Sequence, residues 1–295
     1  MSRLVEARSV TRRFGRATAV EAVNLVVEPG EVVGLLGANG AGKTTLIRLL
    51  LGLLQPNSGT VLLFGSTPSL ATRARVGYVP QSLGLYDDLS VEENWVFNAA
   101  VFRQVERSLP DALSAWRSSL VGDLPLGVQR QVAFAVALAH RPELLMLDEP
   151  TSGVGPLASA RLWEQIRQAA DDDAGALVTT HNMEEAEQCD RLVIMVDGSD
   201  AAEGTAAQII GGRTVAEVRT EDWPRAFSLL EQAGYSVQLH GTALRVISTA
   251  QEVERLFSAA SIAAQVDGVP ANLEEAFVAI AAGSPPGRRT ATGAR

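Results

Sequence analysis

A short strand pattern runs directly into a glycine-rich loop and then into an apolar helix near the start of the chain. The strand covers Glu31–Leu36, the loop is Gly37-Ala-Asn-Gly-Ala-Gly-Lys-Thr44, and the helix is predicted from Lys43 to about Leu54. Glycines let the loop backbone curl so that its N–H groups face a bound anion, and the helix N-terminus adds positive partial charge. The pattern therefore predicts an α/β fold built around a phosphate-binding loop.

This loop matches the P-loop pattern G-x-x-x-x-G-K-T in the required place between a strand and a helix. Of the 25 Lys and Arg residues, 24 are Arg, and the one lysine is Lys43. Lysine is a compact point charge that suits a position between the β- and γ-phosphates, while the Thr44 hydroxyl suits Mg²⁺. The predicted ATP-binding residues of the loop are Gly37, Ala38, Asn39, Gly40, Ala41, Gly42, Lys43, Thr44 and Thr45.

A second apolar strand ends in two acidic residues, in the segment Leu144-Leu-Met-Leu-Asp148-Glu149-Pro150. Asp148 is predicted to support Mg²⁺, largely through water, and Glu149 to lie beside the γ-phosphate as a general base or water-positioning group. Together with the P-loop, these acids predict a P-loop NTPase that uses ATP and Mg²⁺.

Composition excludes several other classes of protein. Of the 295 residues, 46% are hydrophobic and 20% are charged, which is the balance of a globular protein. The formal net charge of −9 argues against nucleic-acid binding. The single cysteine excludes a disulfide framework. No apolar run approaches the roughly 20 residues of a membrane helix, and no signal peptide is recognisable, so a cytoplasmic location is expected.

Strands and helices alternate up to about residue 210, which predicts a mostly parallel sheet. The helix predicted over 91–105 has Ser90 as its N-cap and Glu93 completing a capping box. The other predicted elements are strands at 3–10, 24–27, 61–64, 76–79, 144–147 and 176–180, and helices at 129–139 and 157–170.

The pattern changes after a possible linker at Gly211-Gly212. The elements that follow are predicted at 214–218, 224–233, 237–240, 243–248, 251–260, 263–267 and 273–281. This βαββαβ order plus a helix predicts a small α+β domain of ferredoxin-like type over 213–282. Residues 283–295 are rich in Pro, Gly, Thr and Arg and are expected to form a disordered tail.

Three further segments narrow the class. They are Tyr78-Val-Pro-Gln81 after a strand, Leu124-Pro-Leu-Gly-Val-Gln-Arg-Gln131 before a helix, and Thr179-Thr-His181 at the end of a strand. In this order, with the P-loop and the acidic strand, they resemble the nucleotide-binding subunit of ABC transporters. The resemblance covers residues 3 to about 210.

The resemblance implies roles for individual residues. Gln81 would be the Q-loop residue that links Mg²⁺ to the permease-facing subdomain, His181 would contact the γ-phosphate, and Phe14 would stack on adenine. The signature, which would contact the ATP of the opposite subunit, corresponds to Leu124, Pro125, Leu126, Gly127 and Val128.

The resemblance also implies an architecture and partners. Residues 1–210 would form the ABC ATPase domain, with an antiparallel β subdomain and a helical subdomain at about 82–140. Within the family, Leu85–Asn94, Thr180–Glu187 and Asn272–Phe277 resemble the ATPases of ABC-2-type exporters, including drug-resistance pumps. Such a subunit pairs with a separate membrane permease, on the cytoplasmic face of the membrane.

The chain departs from the family pattern at several positions. Pro125 stands where the signature normally has Ser, Leu126 where it has Gly, and Gly155 where a loop that crosses the dimer interface normally has Asp. Only 42 residues separate Gln81 from Leu124, so the helical subdomain is expected to be trimmed around 107–121.

These departures leave alternatives open. The chain could be a slow but active homodimer, a heterodimer partner with a weak signature, or a regulatory cassette that binds ATP without efficient turnover. An ABC ATPase acting on DNA or ribosomes is disfavoured, since the chain has no long coiled-coil insertion, no second cassette and an acidic charge. The C-terminal domain could bind a regulator, support dimerisation, or only pack against the rest.

Overall fold

The computed structural model describes residues 3–102 and 108–283. By its internal contacts the chain divides into a first unit that ends at Thr205 and a second unit that begins at Ala206. The division precedes the predicted domain end at 210, because the short helix Ala206–Ile210 packs against the last helix of the second unit. Positions 103–105 of the predicted helix 91–105, and 284–295 of the predicted tail, lie outside the described residues.

The first unit contains nine strands and six α-helices among its described residues. The strands are β1 Val5–Phe14, β2 Ala17–Val27, β3 Val32–Leu36, β4 Ser58–Leu63, β5 Val76–Val79, β6 Leu144–Asp148, β7 Gly175–Thr180, β8 Arg191–Val196 and β9 Ser199–Gly204. The helices are α1 Lys43–Leu50, α2 Leu70–Arg73, α3 Val91–Val101, α4 Leu126–Leu138, α5 Pro156–Asp171 and α6 Met183–Ala186.

A six-stranded sheet in the order β5-β6-β7-β3-β8-β9 forms the centre of this unit. All neighbours pair in parallel except β8 and β9, so the sheet is mixed, with one antiparallel edge strand. All residues of β3 and β6 are buried. Apart from Asp148 at the end of β6, their sequences are entirely apolar, as expected of parallel strands covered on both faces.

Two smaller parts flank the central sheet. Strands β2, β1 and β4 pair as a three-stranded antiparallel sheet. A helical region between Gln81 and Leu138 has its own apolar core, to which Val91, Trp95 and Val132 contribute. From residue 108 onward, where the structure describes it, the region predicted to be trimmed contains two short 3₁₀ helices, Asp111–Trp116 and Val121–Asp123, rather than a long α-helix.

Most predicted elements of this unit are present, with shifted ends. The Ser90–Glu93 capping box is confirmed at the start of α3. Helix α1 ends at Leu50 and not near Leu54, because Gly52 adopts a left-handed conformation that closes the helix. Helix α4 begins at Leu126 rather than near Gln129, because the Pro125 carbonyl accepts hydrogen bonds from the N–H groups of Val128 and Gln129.

The second unit is built around a four-stranded antiparallel sheet in the order β11-β12-β10-β13. Its elements follow one another as strand, helix, strand, strand, helix, strand and helix, after the short helix α7. They are α7 Ala206–Ile210, β10 Thr214–Arg219, α8 Trp223–Gln232, β11 Val237–His240, β12 Ala243–Val246, α9 Ala250–Ala259, β13 Gln265–Pro270 and α10 Leu273–Gly283.

A buried ion pair joins the sheet of the second unit to α10. The Arg245 guanidinium donates to both carboxylate oxygens of Glu275, at 2.6 and 2.9 Å, and Glu275 is 2% exposed. Burial opposes the charge on Glu275, but the hydrogen bonds from Arg245 and from the Asn272 N–H hold the pKa of its carboxyl below the ordinary value.

Among the described residues, no helix combines the length and the hydropathy that crossing a bilayer requires.

Replacing Arg245 with Met is expected to lower the free energy of unfolding of the second unit by about 3–5 kcal/mol at neutral pH, because Glu275 then retains a buried charge without its partner. In the wild type the pair contributes fully above the ordinary pKa of glutamate. Its contribution is lost as pH falls through the lowered pKa of folded Glu275. The deficit of Arg245→Met should therefore shrink as the pH falls below the ordinary pKa of glutamate, about 4.3. Denaturant unfolding across this range measures it, with the exposed Arg255→Met as control.

Candidate functional site

The glycine-rich loop connects buried β3 to α1 in a conformation that requires glycine. Gly40 and Gly42 have φ values of 85° and 101°. A Cβ added at Gly42 would lie 2.3 Å from the carbonyl oxygen of Ala19, so the backbone passes too close to β2 for a side chain. The segment therefore has the glycine-dependent geometry that a phosphate-binding loop needs.

Lys43 is the first residue of α1, and its ammonium group lies beneath this loop. It is 5% exposed, and its Nζ donates to the carbonyl oxygens of Gly37 at 2.7 Å and Ala38 at 3.2 Å. Its Nζ also lies 3.6 Å from Glu149 Oε1. Burial lowers the pKa of Lys43 below its ordinary value, and the charges of Glu149 and Asp148 oppose that shift.

Asp148 ends β6 and is held by a threonine on the neighbouring strand. Asp148 is paired in register with Thr179 of β7, and the Thr179 hydroxyl donates to Asp148 Oδ1 at 2.7 Å. The same hydroxyl accepts from the backbone N–H of Glu149 at 2.9 Å. Within the part of the chain that the structure describes, the other carboxylate oxygen, Asp148 Oδ2, is buried without a hydrogen-bond partner. The Thr179 hydroxyl thus forms hydrogen bonds with both acidic residues.

Glu149 follows in a left-handed backbone conformation, with φ of 50°. Its Oε1 lies 3.6 Å from Lys43 Nζ and 3.4 Å from His181 Nδ1. The Glu149 backbone carbonyl accepts a hydrogen bond of 3.0 Å from the Arg130 guanidinium. A non-glycine residue with positive φ is strained, and such residues concentrate at functional sites. The strain here belongs to the residue predicted to be the general base.

Glu149 lines two cavities, one of about 280 Å³ and another of about 330 Å³. The larger brings together most of the predicted nucleotide-binding residues and Gln81. Its lining residues are Ala19, Asn39, Gly40, Ala41, Gly42, Lys43, Thr44, Thr45, Gln81 and Glu149. The smaller cavity is lined by His181 and by the segment after Glu149.

Several predicted residues do not line the larger cavity. They are Gly37, Ala38, Asp148 and His181, together with Phe14 and the signature residues. Phe14, at the end of β1, is 47% exposed, and the Arg12 guanidinium lies 4.7 Å from its ring centroid. The signature residues Leu124–Val128 lie at the start of α4, where Leu126 is 41% exposed. In a single chain the residues predicted to form the signature therefore do not line the P-loop cavity.

The departures from the family pattern each occupy a helix start. Pro125 is the N-cap of α4 and Gly155 is the N-cap of α5, and neither provides a side-chain capping hydrogen bond. The helix starts are close together, since a Cβ added at Gly127 would lie 3.9 Å from the Ala158 side chain. The first N–H groups of a helix have no partner within the helix, so the start of α4 presents backbone donors, whereas Pro156 at the first position of α5 has no N–H.

Sequence reasoning did not single out Thr179, Arg130 or Glu185 as functional. Glu185 is buried in α6, and its carboxylate accepts hydrogen bonds from the hydroxyls of Thr151 and Thr180. It thereby joins the loop after Glu149 to the strand end before His181. The register of β6 against β7 would have identified Thr179, because it places that residue beside Asp148. No local signal identifies the other two.

Comparisons with known proteins find relatives of this chain. Residues 20–152 match the family described as ABC transporter. The Nod factor export ATP-binding protein I of Burkholderia lata is 40% identical over 219 residues, which is 70% of this chain and 72% of that protein. The probable multidrug ABC transporter ATP-binding protein YbhF of Escherichia coli is 38% identical over 214 residues. That match spans 68% of this chain but only 37% of YbhF.

A solved structure of an ATP-binding subunit of an ABC transporter has the same fold. It is 32% identical to this chain and superposes with a TM-score of 0.65. The superposition covers 70% of this chain and 91% of the other.

Replacing Gly42 with Ala is expected to weaken nucleotide binding at least about tenfold. The left-handed conformation disfavours any Cβ, and a Cβ at this position would collide with the carbonyl oxygen of Ala19, so the loop would have to move. Equilibrium titration with a fluorescent ATP analogue measures the change. Gly268→Ala is the matched control, since a Cβ at Gly268 meets open space. Equal affinity of Gly42→Ala and the wild type would contradict this account of the loop.

Replacing Thr179 with Val removes the donor to Asp148 and the acceptor for the Glu149 N–H while keeping the side-chain shape. We expect a loss of about 1–3 kcal/mol in unfolding free energy and a weaker dependence of nucleotide binding on Mg²⁺. Thermal unfolding and Mg²⁺ titration measure these effects. Thr179→Ser retains the hydroxyl and should behave like the wild type; a serine variant as impaired as the valine variant would show that the methyl group matters instead.

Proposed function

Because this chain belongs to the ABC transporter family of ATP-binding proteins, which are ATPases, we propose that it hydrolyses ATP to drive a separate membrane permease. One observation carries the proposal. Lys43 of the P-loop and Glu149 after the acidic strand line one cavity, with 3.6 Å between the ammonium and the carboxylate. A phosphate-binding group and a candidate base thus meet at the same place.

The loop residues are suited to hold the triphosphate of ATP. Backbone N–H groups of the loop and of the first turn of α1 point towards an anion, and Lys43 adds a positive charge. Lys43 would exchange part of its contacts with Gly37, Ala38 and Glu149 for phosphate oxygens. Phe14, exposed at the end of β1, is proposed to stack on adenine.

The residues around Asp148 fit Mg²⁺. The described residues contain no cluster of three or more His, Cys, Asp or Glu side chains able to hold a metal. Mg²⁺ needs no such cluster, since it is commonly held by one or two carboxylates, waters and substrate phosphates. Thr44, Gln81 and Asp148 would hold it, and the unpartnered Asp148 Oδ2 is the observation that favours this. Bound Mg²⁺ would neutralise charge developing on the phosphates.

Glu149 and His181 would carry the hydrolytic step. The Glu149 carboxylate would orient or deprotonate the water that attacks the γ-phosphorus, and the His181 ring would contact the γ-phosphate. Their positions support this division, since His181 Nδ1 lies 3.4 Å from the carboxylate and its side chain is half exposed. Water attack produces ADP and inorganic phosphate, and the proton passes to Glu149.

The signature is proposed to complete the site of a second subunit. Leu124–Val128 lie away from the P-loop cavity of the same chain, so the start of α4 can face ATP only on another chain. With Pro125 and Leu126 in place of polar and small residues, the phosphate would be met by backbone N–H groups at the start of α4. ATP would close the dimer and hydrolysis would reopen it.

The helical region is proposed to dock the permease. Exposed apolar side chains lie on and beside α3, and Tyr86 packs edge-on against Phe97 with ring centroids 5.1 Å apart. Val96 and Val101 are also exposed there. An exposed apolar patch of this kind is typical of a protein interface. The chain would then act at the cytoplasmic face of a membrane. By analogy with its relatives, the permease would export a drug-like or other cargo.

The second unit is proposed to be a ferredoxin-like accessory domain. Its βαββαβ order and antiparallel sheet support that assignment. Binding of a regulator, support of dimerisation and simple packing remain the candidate roles.

A second candidate is a cassette that binds ATP but turns it over slowly within a heterodimer. Pro125 and Gly155 favour it, because both helix starts at the expected dimer surface lack the polar side chains of the family pattern. In that case the P-loop of this chain binds ATP normally, and slow hydrolysis occurs at the site on the partner that this chain's signature completes.

Replacing Glu149 with Gln is expected to leave ATP affinity within about twofold and to lower turnover at least about 100-fold, because the amide cannot accept a proton from water. Phosphate release by the purified chain measures turnover, and Glu164→Gln on the exposed face of α5 is the control. Equal turnover of Glu149→Gln and the wild type would refute this role.

The same assay across protein concentrations separates the two candidate functions. Turnover per chain that rises with concentration and disappears in Glu149→Gln indicates a self-sufficient homodimer. ATP binding without turnover indicates that a second ATPase or the permease must complete the site.

A further inference from the structure

Arg130 joins the helix that begins at the signature to the backbone of the proposed general base. It lies one helical turn after Leu126 in α4 and is 5% exposed. Its Nη1 donates to the carbonyl oxygens of Glu149 at 3.0 Å and Pro150 at 2.8 Å. One guanidinium nitrogen thus donates hydrogen bonds to two consecutive carbonyls of the loop that follows β6.

The position of this guanidinium disfavours a purely stabilising role. Burial lowers the pKa of Arg130, and the negative charges of Glu149 and Glu185 oppose that shift. Its Nε is buried without a hydrogen-bond partner among the described residues. A buried charge with an unsatisfied donor is a costly way to stabilise a core, which an apolar side chain of similar volume would fill at lower cost.

The two carbonyls that accept hydrogen bonds from Arg130 belong to the strained residue Glu149 and to the residue after it. Glu149 has φ of 50°, so the peptide between Glu149 and Pro150 is turned out of the ordinary strand direction. On the N-terminal side the Glu149 N–H is held by Thr179, and on the C-terminal side Arg130 holds the carbonyls. With the backbone fixed on both sides, the direction of the Glu149 side chain is restricted.

We propose that Arg130 is a positioning residue for Glu149, so that the helix presenting the signature to another subunit's ATP also sets the general base of its own chain. The inference rests on the proposed hydrolytic function and adds a residue to it. Arg130 does not line the P-loop cavity, so it acts through the Glu149 backbone.

The test separates nucleotide binding from the chemical step. Arg130→Met removes the donors with little change in volume, and Arg130→Lys keeps a charged donor with shorter reach. We expect Arg130→Met to bind ATP with affinity within about twofold of the wild type and to turn over at least about tenfold more slowly, with Arg130→Lys in between. Arg161→Met, on the exposed face of α5, is the matched control and should match the wild type.

A mixed dimer shows which Glu149 depends on Arg130. One chain carries Lys43→Ala and the other an intact P-loop, so hydrolysis occurs in the P-loop of the second chain. Arg130→Met placed on the chain with the intact P-loop should lower turnover, whereas the same change on the Lys43→Ala chain should not. Loss from the Lys43→Ala chain would mean that Arg130 supports the signature, and it would overturn the proposal.

Other outcomes also decide the matter. Unchanged turnover in Arg130→Met, or an equal loss of affinity and turnover, overturns the positioning role while Glu149-dependent hydrolysis in the wild type upholds the proposed function. A wild type whose turnover does not depend on Glu149 overturns both. Thermal unfolding checks that Arg130→Met folds; if it does not, the same comparison of affinity and turnover is made on Arg130→Lys.

Discussion

Parallel pairing of β3, β6 and β7 is the constraint on which the site depends. Each strand ends at the same edge of the sheet, so the P-loop after β3, the acids at the end of β6 and the histidine after β7 are brought to one place. These groups lie far apart in sequence. Their convergence requires no direct bonding between the motifs, only that three buried apolar strands keep their order and register.

The register then fixes the chemistry at finer scale. Thr179 opposes Asp148, and its hydroxyl serves one acid through the side chain and the next through the backbone. A slip of one residue would place Val178 or Thr180 opposite Asp148 and turn the Thr179 hydroxyl to the other face of the sheet. Glu149 can then leave the strand in a left-handed conformation because groups on both sides hold its peptide bonds.

Much of this fold could be predicted from the sequence because its signals are local. The P-loop, the two acids and the Ser90–Glu93 capping box depend on neighbours within a few residues. Strands β8 and β9 were not predicted, although the Asp197-Gly198 turn between them has positive φ at both positions, as hairpin turns require. Arg130 escaped prediction for a physical reason: its partners are backbone carbonyls on another element, and carbonyls have no sequence signature.

The apolar signature is best understood through the helix that it begins. Pro125 and Gly155 place no polar side chain at two neighbouring helix starts, but the first N–H groups of α4 still have no partner within the helix. Contact with a phosphate would then depend on the exact placement of α4 rather than on a flexible side chain. Since Arg130 ties the same helix to the carbonyls at Glu149, that placement also bears on the proposed general base of the same chain. If the proposed signature acts through backbone donors, both the proposed site of the partner and that of the same chain depend on the rigidity of α4.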